Sequence, residues 1–319
     1  MKSCIIIGAG ITGLVAAHEL KKNNWQVTVL DKGKGVGGRM STRRAGEVRF
    51  DHGAQYFSTK TPDFQDFSQK IIDAGIAKKW HLEEGDKTFS HPRVIGKNGM
   101  NTIPKFLAEG IDIKLNEKVI KISENDNGCQ LETESGNIYQ ADALIITIPA
   151  PQALELLQKS TLNLSKSNLA VLENIQYYPC IAVMATLNSP TNIPKPGGLT
   201  LESDNISWIA DNFQKGISPL FSATIHANPA FSEAHFDDDL TEIGKQLLNQ
   251  ITEWIPASSV DSFQVHRWRY SLAHQRYTEN YLLADATSFP LLFAGDGFGI
   301  GNVEGAYISG KSAAECLVG

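Results

Sequence analysis

A glycine-rich strand-to-helix turn stands at each end of this chain, and the pairing limits the folds open to it more than any other feature. Residues 4–31 read CIIIGAGITGLVAAHELKKNNWQVTVLD, and residues 291–316 read LLFAGDGFGIGNVEGAYISGKSAAEC. In the first segment the unbroken apolar run Cys4–Ile7 suits a parallel strand buried on both faces. Helical spacing of Leu14, Ala17 and Leu20 follows, then a second strand at 26–30, which makes a βαβ unit. Within Gly8-Ala9-Gly10-Ile11-Thr12-Gly13, the first glycine permits a tight turn, the second lets backbone approach a pyrophosphate, and the third lets helix and strand pack closely. The phosphates would then meet the positive end of the helix, with Thr12 as an added donor. Asp31 ends the next strand, where it can accept from adenosine ribose hydroxyls, and Lys32 stands beside it.

One such turn predicts a dinucleotide; two, at opposite ends of the chain, predict a single cofactor gripped by both, which points to FAD. Gly37-Gly38-Arg39-Met40-Ser41-Thr42 separates FAD from NAD. Gly38 allows backbone at contact distance, Met40 lies beside it, and Arg39 can offset diphosphate charge with directed donors. A plain NAD dehydrogenase has no need of this loop. At the closing turn Asp296 is expected on the ribityl hydroxyls, while the helix starting near Val303 aims its N–H groups at the flavin edge that gains negative charge on reduction. Glu304 beside that edge fits flavin contact and simple first-turn dipole pairing alike.

Composition narrows the partners. The net charge of −6 excludes broad capture of nucleic acid, although Arg39, Arg43, Arg44 and Arg49 form a local basic cluster able to hold a phosphorylated ligand. Four scattered cysteines with no C-x-x-C pair suggest neither metal site nor disulfide framework, so a reducing, cytoplasmic setting is expected. No apolar run reaches the roughly 18–20 residues needed to cross a bilayer. The sequence leaves the oligomeric state open.

The fold class is α/β: a Rossmann-like FAD domain with a second, substrate domain built on a mainly antiparallel sheet. Residues 33–60 are read as a long loop against the ligand, 61–79 as a helix, and 86–95 as a short strand. Segments 111–115, 118–123, 129–134 and 137–139 are read as an antiparallel meander, followed by a buried strand at 143–148. Beyond a helix near 151–158, strands are predicted at 178–187, 206–211, 219–226 and 263–271, with a helix at 239–254. The cofactor domain is expected to comprise 1–60, 93–150 and 272–319, and the substrate domain 61–92 and 151–271.

These motifs resemble the renalase branch of the FAD-dependent amine oxidase superfamily. The resemblance rests on IIIGAGITG, DKGKGVGGRMSTRR at 31–44, DHGAQYF at 51–57, HRWRYS at 266–271 and AGDGFGIGNVEGAYISG at 294–310, and it covers essentially the whole chain. It implies a fold like that of p-hydroxybenzoate hydroxylase. It also implies that Gln55, Tyr56 and Val119 line the cofactor with Thr12 and Arg39, and that His52, Trp268, Arg269 and Tyr270 fall near the flavin ring. The Ser-Gly-Gly-Cys-Tyr segment that holds flavin covalently in some members is absent, so noncovalent FAD is expected.

For this branch the implied reaction is oxidation of 2- or 6-dihydro isomers of NAD(P), with hydride passing to flavin N5 and dioxygen reoxidising the flavin to give hydrogen peroxide. A dihydropyridine need lose no proton from nitrogen, so the chemistry requires no dedicated base. Strand alternation puts His266, Trp268 and Tyr270 on one face and Arg267 and Arg269 on the other, so these residues cannot all face one cavity. Trp268 suits sheet packing equally well, and His52 a hydrogen-bonded loop. Two rival readings are an amine oxidase or desaturase of an apolar substrate, for which a lysine holding water at N5 would be the cue, and a flavin-binding protein without turnover.

Overall fold

The opening strand Ser3–Ile7 lies inside a six-stranded sheet ordered Tyr281–Leu283, Leu291–Ala294, Ala143–Ile146, Ser3–Ile7, Gln26–Asp31, Asp112–Leu115. All its pairings are parallel except that of Tyr281–Leu283, which runs antiparallel to its neighbour. The computed structural model describes residues 1–80, 93–125 and 128–319, and this sheet belongs to the first of two compact units, Met1–Gly38, Pro104–Tyr177 and Leu272–Gly319.

The reason for an uninterrupted apolar strand is visible in where alternate residues go. Cys4 and Ile6 join Val29, Ile145 and Leu292 in a cluster roofed by Ala16, Ala17 and Leu20 of the opening helix, Ile11–Lys22, and by Ala313, Ala314 and Leu317 of the closing helix, Asn302–Val318. Ile5 and Ile7 point the other way, into a cluster with Leu144, Leu291 and Phe293 that is covered by Leu156 and Leu157 of helix Ala150–Gln158 and by a small antiparallel sheet. With two buried faces, every position must be apolar, and each enclosed Leu or Ile contributes about 1.5–3 kcal/mol.

That small sheet holds Val119–Asn125, Gly128–Thr133 and Ile138–Ala141. The first segment of the expected meander, observed as Asp112–Leu115, instead extends the large sheet in parallel beside Gln26–Asp31. Its alternate burial satisfies a half-covered edge strand as well as a meander, so pattern alone could not separate the two.

The second unit comprises Arg39–Ile103 and Tyr178–Ser271. Its sheet is ordered Gly198–Thr200, Ile206–Asp211, Ser222–Ala227, Gln176–Leu187, Val260–Gln275. Ile181, Val183, Ile209 and Ile225 pack on Ile243 and Leu247 of helix Leu240–Asn249. The alternate residue Met184 meets Val48 and Phe50 of a hairpin, Thr42–Ala45 with Val48–Asp51. This hairpin replaces the loop expected there; Gly46, at φ +60°, makes its turn.

The predicted helix over 61–79 spans Pro62–Asp73, is followed by Gly75 at φ +72°, and gives way to a strand, Ala77–Trp80. The helix at 239–254 likewise stops at Asn249. Of the strand expected at 86–95, Arg93–Gly96 is observed and the rest lies outside the described residues. Packing boundaries differ from the expected functional ones: 39–60 and 93–103 pack with the second unit, and 151–177 with the first. The hairpin's hold on Met184 and the cover that Ala150–Gln158 gives the large sheet explain both shifts. Among the described residues no helix is long and apolar enough to cross a membrane.

Candidate active site

In the first unit, strands Ser3–Ile7 and Leu291–Ala294 both run parallel to the intervening Ala143–Ile146, so the two glycine-rich turns open on the same edge of the sheet. The helices that follow them lie side by side; a Cβ on Gly310 would stand 2.2 Å from the Thr12 carbonyl oxygen. Both begin at a glycine, Gly10 and Gly301, and no side chain caps either. Their first N–H groups therefore have no intrahelical acceptor, the usual arrangement for an anion-binding helix start.

The glycines distinguish protein packing from ligand space. A Cβ on Gly13 would lie 2.0 Å from the Gly8 carbonyl oxygen, whereas a Cβ on Gly10 would meet no protein atom within 4 Å. Gly13 is thus required by helix–strand packing, and Gly10 leaves an open cradle that suits a pyrophosphate. Asp31 organises the same turn: Ala9 N–H donates to its Oδ2 at 2.7 Å and Gly33 N–H to its Oδ1 at 2.6 Å. Each oxygen keeps a second lone pair that a ribose hydroxyl could use. Asp296 and Glu304 are buried at the closing turn, and Val119 is buried in the sheet's core. Lys32 is exposed, and Val303 is half-buried in the first turn of the closing helix.

In the second unit the hairpin delivers Asp51 and His52 to an aromatic and polar cluster. His52 stacks on Trp268 with ring centroids 5.1 Å apart and meets His266 edge-on at 5.0 Å; His266 and Trp268 are 4.5 Å apart. Trp268 Nε1–H donates to the His52 carbonyl at 2.8 Å. Burial, then His266, Arg43 and His226, pushes the His52 pKa down to about 3. Burial, then the Lys215 ammonium, takes His226 to about 4, and burial with Arg43 lowers His266. All three imidazoles are neutral at pH 7.

Beneath them lies an ion pair that the sequence did not announce. Lys215 Nζ is 3.6 Å from Asp51 Oδ2, with both side chains 0% exposed. Nζ also donates to the Gln55 carbonyl at 3.1 Å and to Gln55 Oε1 at 3.0 Å. Burial raises Asp51 and lowers Lys215, and each opposes the other's shift by favouring its partner's charged form. Nothing in DNFQKG at 211–216 marks its lysine as enclosed; only the distant Asp51 makes it tolerable there.

The structure brings His52, Gln55 and Trp268 together and holds Arg39 nearby, where Nη1 donates to the Tyr270 and Ser271 carbonyls at 3.3 Å each. Tyr56 lies among Trp80 and Trp208, 5.8 and 5.7 Å between centroids, with the Arg93 guanidinium 4.5 Å above its ring. Met40 is buried in the short helical turn Gly38–Met40. Arg269 is not brought to the cluster. Strand alternation turns it outward, 60% exposed, over the Phe236 ring at 4.2 Å and 3.8 Å from Asp237.

A family model described as flavin containing amine oxidoreductase matches residues 67–318, and one described as NAD(P)-binding Rossmann-like domain matches 6–71. The chain belongs to the flavin-containing amine oxidoreductase family and is an FAD-dependent oxidoreductase. It is similar to renalase of Mus musculus, 26% identical over 344 aligned residues covering 99% of each chain. A shorter match to polyamine oxidase 4 of Oryza sativa subsp. japonica is 50% identical over 52 residues, 16% of this chain and 11% of that protein. Putrescine oxidase bound to putrescine shares the fold at a TM-score of 0.74 and 15% identity, with 99% of both chains covered.

Proposed function

We propose that this protein oxidises dihydronicotinamide nucleotides reduced at the wrong ring position, the 2- and 6-dihydro isomers of NAD(P)H. Bound FAD supplies the hydride acceptor at N5, and dioxygen is the proposed terminal acceptor, leaving as hydrogen peroxide. The substrate loses a hydride from ring carbon and becomes the aromatic NAD(P) cation, so no base has to take a proton from it. In this reading Gly8, Gly10, Thr12, Gly13 and Asp31 hold the adenosine and pyrophosphate, with Gly38, Arg39, Asp296 and Val303 on the remainder of the noncovalent cofactor. His52, Gln55 and Trp268 orient the nicotinamide and exclude water.

The observation that carries the reading is the weakness of the imidazoles in the second unit's cluster as proton acceptors. The His52 and His226 imidazoles are held near 3 and 4, and Asp51 is tied to Thr42, Met100 and Lys215. An amine oxidase that uses a lysine to hold a water at N5 is less well served, because Lys215 is already engaged at two points by Gln55 and by the Asp51 carboxylate. Stopped-flow reduction decides between the readings. Rapid bleaching by the 6-dihydro isomer, with no bleaching by amines, is expected. The reverse order supports the amine oxidase reading, and a flavin that nothing bleaches overturns both.

A further inference from the structure

Lys215 of the buried Asp51–Lys215 pair lies outside every motif that announces the cofactor, while Asp51 opens DHGAQYF. Two enclosed charges lose their hydration, and a pair of apolar residues would fill the same space at no such cost. The pair therefore calls for an explanation beyond stability, and the acceptors around Nζ supply one.

We propose that Lys215 is a positioning residue that locks the Gln55 carboxamide in one orientation and so fixes the path of residues 51–55. The proposal rests on the functional reading above only in taking Gln55 as a neighbour of the flavin. Nζ holds Gln55 at two points, the backbone carbonyl at 3.1 Å and Oε1 at 3.0 Å. With its oxygen held there, Nε2 donates to the Asp51 carbonyl and to that of Gly53 at 3.3 Å, and comes within 3.5 Å of His226 Nε2. A carboxamide turned over would set two protons against an ammonium group and its oxygen against two carbonyls.

Asp51 anchors the cation from the other side. Thr42 Oγ1–H donates to its Oδ1 at 2.7 Å and Met100 N–H at 2.8 Å, which leaves Oδ2 for Lys215. The Trp80 ring covers the ammonium group at 5.3 Å and limits access of competing water. The order of dependence thus runs from Asp51 to Lys215 to Gln55 and then to the carbonyls and imidazole around His52.

The test compares holoenzymes carrying Lys215→Met, Lys215→Arg, Gln55→Ala, the Lys215→Met/Gln55→Ala pair, and Asp51→Asn/Lys215→Met, which removes both charges in case Lys215→Met alone does not fold. The readouts are exchange of the Gln55 side-chain amide protons by NMR, FAD affinity by titration, and kcat and KM for the 6-dihydro isomer. In Lys215→Met and in Asp51→Asn/Lys215→Met, Gln55 amide exchange should be at least about tenfold faster while neighbouring core amides keep their protection. Lys215→Arg should retain slow exchange. FAD affinity should fall equally in Lys215→Met and Gln55→Ala, with no further fall in the double variant. Unchanged Gln55 protection in Lys215→Met and in Asp51→Asn/Lys215→Met, or losses of FAD affinity that add, overturn the proposal. If no dihydro isomer bleaches the wild-type flavin, the functional reading fails, while the exchange and FAD measurements still decide the role of Lys215.

Discussion

Gly10 and Gly13 lack side chains for different reasons, and the difference can be measured. At Gly13 the nearest obstacle to a Cβ is the protein's own carbonyl; at Gly10 no protein atom stands in the way, and φ is an ordinary −77°. Gly10→Ala should leave the unfolding midpoint of FAD-free protein unchanged while weakening FAD binding about tenfold or more, roughly 1.4 kcal/mol. Gly13→Ala should lower both, with a stability loss of about 1–3 kcal/mol from overpacking. Thermal unfolding of the apoprotein alongside flavin titration checks the contrast, and equal destabilisation by the two would remove the case for a ligand cradle at Gly10. Individual histidines set a second residue-scale expectation. His52 and His226 titrate near 3 and 4 when folded and near 6.5 when unfolded. Between about pH 4 and 6.5 the unfolded chain binds protons that the folded state refuses, so stability rises with pH by at most ~1.4 kcal/mol per unit for each histidine. This contribution is complete above the unfolded value and is lost as the pH falls. Urea unfolding across that window should show the slope, and His226→Gln should flatten it.

At the scale of elements, the strand Val260–Gln275 shows what alternation can and cannot tell. The split that sends Trp268 to the His52 cluster and Arg269 over Phe236 was legible from the order of residues alone, because period two admits no other arrangement on a regular strand. Which face meets the cluster was not legible, since that depends on the hairpin Thr42–Ala45 with Val48–Asp51. Its two adjacent arginines and short, turn-rich sequence carry little apolar signal; Val48 and Phe50 become core residues only once Met184 lies against them. Trp268→Phe keeps a ring against His52 but removes the Nε1–H bond to its carbonyl, which should cost about 1 kcal/mol. The protein should remain yellow and its kcat/KM for the 6-dihydro isomer should change. Arg269→Ala should alter neither stability nor kcat/KM by more than about 0.5 kcal/mol. A large kinetic loss in Arg269→Ala with a silent Trp268→Phe would reverse the assignment of faces.

At the scale of the whole molecule, the α/β plan was readable because buried parallel strands admit only apolar residues and glycine-rich turns have few other uses. Lys215 was unreadable because its burial depends on Asp51, far away in sequence. The same long view bears on how the cofactor is attached. A thioether to flavin needs a cysteine thiolate beside the ring. Burial raises the Cys4 thiol well above its ordinary value and pushes Cys129 and Cys180 up to about 12. Cys316 sits in the last turn of the closing helix, about 20 Å along its axis from the glycine-rich start at 1.5 Å per residue. No cysteine thus combines an available thiolate with a position at the helix start. Acid denaturation of the holoprotein should accordingly release all of its flavin to the supernatant and leave a colourless pellet. A yellow pellet that survives washing in denaturant would mean that another side chain forms the bond, and peptide mapping would then have to locate it.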